Sequence, residues 1–95
     1  MELRESKDPV NLFFVITPEQ CRAGRGLLAW SQLDLAEKAR VGVVTVHQLE
    51  SGTSEPRHST LEVIRRAFEV AGVEFIDENG GGPGVRLRKR QRRKA

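Results

Sequence analysis

Gln48 and His47 sit side by side on a short segment bounded by Gly42 and Gly52, and both carry groups that can read or hold nucleic acid. An outward glutamine amide can donate and accept at once, which matches the edge of adenine. The imidazole of His47 can donate to a base or to a phosphate oxygen. Solvation is the plain alternative for each side chain. Val46 and Leu49 lie three apart in the same segment, so a helix there has one buried stripe and an outer face.

The elements that would position that face are legible from local signals. The segment 43–51 reads as a helix closed by Gly52. Before it, Ser31 can cap a helix over 32–39, on which Leu35, Ala36 and Ala39 recur at helical spacing. Arg40-Val41-Gly42 breaks the two apart. Helices this short cannot each hold a core, so the pair is expected to form a helix-turn-helix, whose second helix presents its outer face to a DNA major groove.

The flanking chain completes a small domain. Thr17, Pro18 and Gln20 spell a capped helix start, and that helix is expected to run to about Leu28 with Cys21, Gly24 or Arg25, and Leu28 inward. Ser59 or Thr60 is expected to cap a fourth helix, with Leu61, Ile64, Phe68 and Ala71 on one face and Gly72 at its end. Val73–Ile76 and Val85–Arg88 read as strands joined by the glycine-rich turn 77–84, a β-hairpin. A lone hairpin is marginal, so it must lie on the helices, pair with residues 12–16, or pair with a second copy. The expected organisation is an arm or short strand over 1–16, a helix-turn-helix domain over 17–72, a hairpin and possible dimerisation element over 73–88, and a disordered basic tail over 89–95.

Composition narrows the function. Ninety-five residues make one small domain, which buries about two-thirds of its unfolded surface and would gain from a dimer contact. The single cysteine, Cys21, cannot form an intrachain disulfide, and it is expected to be buried and inert in a reducing compartment. The apolar run Leu12–Ile16 is far too short to span a membrane and lacks the flanks of a signal peptide, so a cytoplasmic location and no membrane contact are expected. Seven of the sixteen basic residues fall in the last ten positions, leaving residues 1–85 with nine basic against thirteen acidic groups, a net of −4. Phosphate attraction must therefore come largely from the tail. Arg88, Lys89, Arg90, Arg92 and Arg93 are its expected phosphate contacts; a solubilising end or contact with an acidic partner are the alternatives.

Catalysis is not expected. Gly24-x-Gly26-x-x-Ala29 superficially resembles a dinucleotide fingerprint, but it lies within a helix with no strand leading into it. No catalytic triad or carboxylate pair stands out. No cofactor is expected, and no metal either, since His47 and His58 have no further ligands at zinc spacing.

Arg25-x4-Trp30-Ser31-Gln32-x2-Leu35-Ala36-x2-Ala39, followed by Val41, Thr45-Val46, Leu49-Glu50-x-Gly52 and Pro56, resembles the XRE/Cro-like helix-turn-helix of phage repressors and bacterial regulators over about residues 17–72. The resemblance implies a mainly α, lambda-repressor-like four-helix domain, here with a C-terminal β-hairpin and basic tail. It also implies operator binding as a homodimer, usually in repression. It places Val43, Val44, Thr45, His47 and Gln48 toward the groove, and Gln32 on a phosphate while bracing the recognition helix. Ser31, Arg40, Arg57 and His58 join Gln32 as expected phosphate contacts. Arg25 and Glu50 match a structural pair.

Three positions depart from the family. Arg40 stands where the turn usually has glycine, at a cost on the order of 1 kcal/mol if left-handed. Gly42 replaces the usual Ser or Thr cap. Val43 and Val44 occupy positions usually held by polar residues, and they can only pack on thymine methyls. The competing reading keeps the scaffold but docks that face on a protein, as in an antitoxin or antiactivator.

Overall fold

Reciprocal caps start the first two helices. The Thr17 hydroxyl accepts from the Gln20 amide while the Gln20 carboxamide accepts from the Thr17 amide, both at 3.0 Å, and Pro18 occupies the first position of α1 (Pro18–Leu28). Ser31 and Asp34 make the same pair at 2.9 and 3.0 Å at the head of α2 (Gln32–Ala39). The third helix, α3 (Val43–Ser51), follows Gly42, whose missing side chain leaves no cap hydrogen bond; Gly52 at φ 75° closes it. The structure is a computed structural model that describes residues 16–88. The expected arm, the expected strand or strap over residues 12–16 apart from Ile16, and the basic tail 89–95 lie outside the described residues; Ile16 is buried and not in a strand.

The first two helix–helix turns use left-handed residues other than glycine. Arg40 adopts φ 59° and ψ 45°, as its place in the turn requires, and lets the amides of Arg40 and Val41 reach back to Glu37 and Ala36 carbonyls. Ala29 does the same at φ 57° after α1, which no sequence signal announced.

The fourth helix corrects one expectation. Helix α4 (His58–Val70) begins before Ser59 and Thr60, and its N-cap is Arg57, with no side-chain cap bond. The extended Arg57 backbone instead offers its carbonyl to the Thr60 and Leu61 amides at 2.9 and 3.1 Å. Leu61, Ile64 and Phe68 are buried as expected, whereas Ala71 lies past the helix end and is half-buried. Leu28 of α1 is also half-buried, and the inward residues there are Gln20, Cys21 and Gly24.

The hairpin lies on the helices. Strand β1 (Val73–Ile76) pairs antiparallel with β2 (Gly84–Leu87), one residue earlier than the sequence pattern placed it. The partners Val73–Leu87 and Phe75–Val85 share the inner face, where Val73 and Phe75 are buried. Gln20 on α1 donates to the Gly84 carbonyl at 3.0 Å, and Arg65 on α4 reaches Asp77 at 3.3 Å while lying 4.7 Å over the Phe75 ring.

Phe68 is the centre of the core. It is fully buried, stacked on Trp30 at 5.8 Å and met edge-on by Phe75 at 5.9 Å. Gly24 lets α1 pass close by this ring: a Cβ there would sit 2.9 Å from Phe68 Cε1, with the ring held between two aromatic neighbours. Gly26, two residues on, has open space where a Cβ would stand. The two glycines therefore respond oppositely to alanine. Gly24→Ala is expected to lose about 1–2 kcal/mol, overpacking outweighing helix propensity, and Gly26→Ala to gain about 0.5–1 kcal/mol. Urea unfolding of both variants checks this; a Gly24→Ala protein at least as stable as the parent shows that the ring can yield.

Candidate nucleic-acid interface

Helix α3 is divided between an anchored side and an open side. Val46, Leu49 and Glu50 are buried. Val44 is 62% and Val43 40% exposed, His47 is exposed, and Thr45 and Gln48 are half-buried. Of the five residues expected to read bases, Val43, Val44 and His47 are uncovered by the domain, and Thr45 and Gln48 are partly covered. That segment carries no acidic residue apart from the inward Glu50.

Glu50 is the anchor. It is only 5% exposed, and three helices converge on its carboxylate. Arg25 of α1 binds it in a fork, Nε to Oε2 and Nη2 to Oε1, both at 2.8 Å. Gln32 of α2 donates its Nε2 to Oε1 at 3.0 Å, and the Cys21 thiol donates to Oε2 at 3.0 Å. Arg22 reaches the Glu50 backbone carbonyl at 2.5 Å, and Arg25 also donates to the Trp30 carbonyl at 3.0 Å.

The electrostatics follow from this arrangement. Burial alone would raise the Glu50 pKa; hydrogen bonds from Arg25, Cys21 and Gln32, with the Arg25 charge, outweigh it and hold the carboxyl below its ordinary range. The hydrogen bond to Glu50 raises Arg25. Burial, and then the adjacent carboxylate, push the Cys21 thiol well above its ordinary value. The sequence reading paired Arg25 with Glu50 and placed Cys21 inside, but it missed that Cys21 and Arg22 also meet Glu50. The four-residue step from Cys21 to Arg25 puts both on one helix face, and that spacing was the available signal.

The expected phosphate contacts are spread around this helix. Ser31 and Gln32 stand at the N-terminus of α2, Ser31 engaged in its capping box and Gln32 in the bond to Glu50. Arg40 is exposed in the turn leading to α3. Arg57 and His58 are exposed at the start of α4. Arg88 is engaged within the domain: its guanidinium donates to the Glu69 carbonyl near the end of α4. Lys89, Arg90, Arg92 and Arg93 lie outside the described residues.

A family model described as helix-turn-helix matches residues 22–75. No curated protein matches the chain.

Proposed function

The chain belongs to the XRE/Cro-like helix-turn-helix family, whose domain is that of DNA-binding regulators, and from that premise we propose that it is a sequence-specific, dimeric repressor acting in the cytoplasm. The observation that carries this reading is the two-sided α3: a buried carboxylate ties its inner side to α1 and α2, and the rest of the helix leaves Val43, Val44 and His47 exposed and Thr45 and Gln48 half-buried. Rigid support is what an element needs if it is to enter a major groove in one register. Gln48 reads adenine, and the two valines favour thymine methyls. Gln32, Arg40 and Arg57 set the register on phosphates, with Ser31 and His58 beside them. A dimer places two copies of α3 about 34 Å apart, on half-sites one helical turn apart. Repression follows from occlusion of a promoter. Among the described residues, no helix is long and apolar enough to cross a membrane.

Selection on random duplexes tests the reading, with enrichment of paired A/T-containing half-sites expected. A salt titration then measures the backbone share of binding. Deleting residues 89–95 removes five cations, Lys89, Arg90, Arg92, Arg93 and Lys94. If all five neutralise phosphates, the slope of log K against log salt falls by about 4.5. An unchanged slope takes the tail off the DNA.

One observation favours a second reading. The adjacent Val43 and Val44 are an exposed aliphatic pair on a helix face, which suits a protein partner as in an antitoxin or antiactivator. No enriched duplex in the selection, together with a pulldown lost on Val44→Ala, decides for it.

A further inference from the structure

Helix α4 carries a second stripe on its solvent side. Val63, Arg66, Ala67 and Val70 recur at i, i+3, i+4 and i+7 and so line up along the helix. Val63 is 44% and Val70 80% exposed. Across from them stand Trp30 and the end of α2, and the space between has a volume of about 440 Å³. Trp30 is pinned from behind by its stack on Phe68.

The charge at this groove is of one sign. Lys38, Arg40 and Arg66 line it and are exposed, and no acidic residue does so. Among the described residues, no carboxylate pairs with these three cations. Lys38 instead lies over the Trp30 ring, 5.9 Å from its centroid. Apolar clefts of about 300–1,000 Å³ with a few convergent polar groups suit small ligands. Here the charged groups that line the cleft are all cations, so the matching head group is an anion.

We infer that this groove binds a hydrophobic monocarboxylate, its apolar body against Trp30, Ala67 and Val70 and its carboxylate on Arg66, Arg40 and Lys38. Two other occupants fit less well. A second copy docked here face to face sets cations against cations. The tail 89–95 carries the same sign. Arg40 caps the helix that leads into α3, so a bound carboxylate competes with a DNA phosphate for it. That consequence rests on the proposed function; the binding site itself does not.

Trp30 is the only tryptophan of the chain, so its fluorescence reports on the groove directly. Titrating 4-phenylbutyrate into the full chain, without DNA, is expected to change the emission saturably, with neutral 4-phenylbutanol binding about tenfold more weakly. Arg66→Glu is expected to weaken carboxylate binding about tenfold or more with the melting temperature unchanged. Val70→Glu, at a largely exposed position, acts in the same direction. Saturating 4-phenylbutyrate is expected to lower the affinity for a selected duplex about tenfold through Arg40. Absence of a saturable change, equal binding of the alcohol, or full binding by both variants overturns the site. Carboxylate binding that leaves duplex affinity unaltered overturns the competition at Arg40. A protein that binds the carboxylate but no duplex sinks the DNA reading and leaves the groove standing.

Discussion

Replacing Glu50 by alanine is expected to cost about 3–5 kcal/mol of stability, because it leaves the Arg25 guanidinium partly buried without its carboxylate. The Gln32 amide and the Cys21 thiol lose their acceptor in the same step. A domain of this size has about 5–10 kcal/mol in total, so the melting temperature falls by roughly 15–30 °C. Circular dichroism melts measure it, and a variant melting within about 5 °C of the parent shows that the pair contributes little. Duplex binding disappears together with folding, so loss of binding in this variant says nothing about a base contact. Replacing both partners by apolar residues, Arg25→Met with Glu50→Leu, is expected to recover part of the loss, since the penalty comes mainly from the stranded charge.

Acid acts on the same carboxylate. Its pKa in the folded state lies below the ordinary value of 4.5. The stabilisation it gives is therefore complete above the unfolded-state pKa, and it is lost as the pH falls through the lower folded-state value. Glu50→Gln removes this dependence. The gap in melting temperature between parent and Glu50→Gln is expected to be wide at neutral pH and to narrow below about pH 4.5. A gap that is constant with pH means that Glu50 is not held ionised by its partners.

Val44→Asp is expected to act in the opposite way, leaving the fold intact and destroying duplex binding. Val44 is largely exposed in the first turn of α3, where no acidic residue stands. A carboxylate beside the helix N-terminus is favourable by about 0.3–1 kcal/mol, so the melting temperature holds or rises slightly. Against a duplex, the same charge faces phosphates across a desolvated contact, at a cost of several kcal/mol and thus about 100-fold or more in affinity. Gln48→Ala is the milder companion, losing about 1–3 kcal/mol of discrimination at one base pair. Fluorescence anisotropy with a selected duplex reads both. Retention of parental affinity by Val44→Asp places α3 outside the groove.

The helices of the helix-turn-helix were legible because their boundaries are written in local chemistry. Thr17 with Gln20, and Ser31 with Asp34, satisfy amides within three residues, and Gly52 relieves a left-handed end. The start of α4 was misplaced because Ser59 and Thr60 are good caps by type, yet the backbone turns at Arg57 after Pro56 and needs no side chain to do so. The hairpin was placed to within one residue from Val, Phe and Ile flanking the glycines. Ala29 in the left-handed region was invisible, since its residue type favours the opposite conformation.

By itself the chain determined which face of residues 43–51 turns inward, because Val46 and Leu49 at helical spacing leave only one way to bury them. Only the tertiary structure decided what that face meets. Four side chains from two other helices engage the carboxyl and carbonyl of Glu50, and Gly24 yields space to a ring forty-four residues away. Those are contacts between elements distant in sequence, so no local periodicity encodes their distances. The same holds for the groove at Trp30, whose walls are set by how α2 and α4 pack, and where folding brings Arg66 to the cleft that Lys38 and Arg40 line.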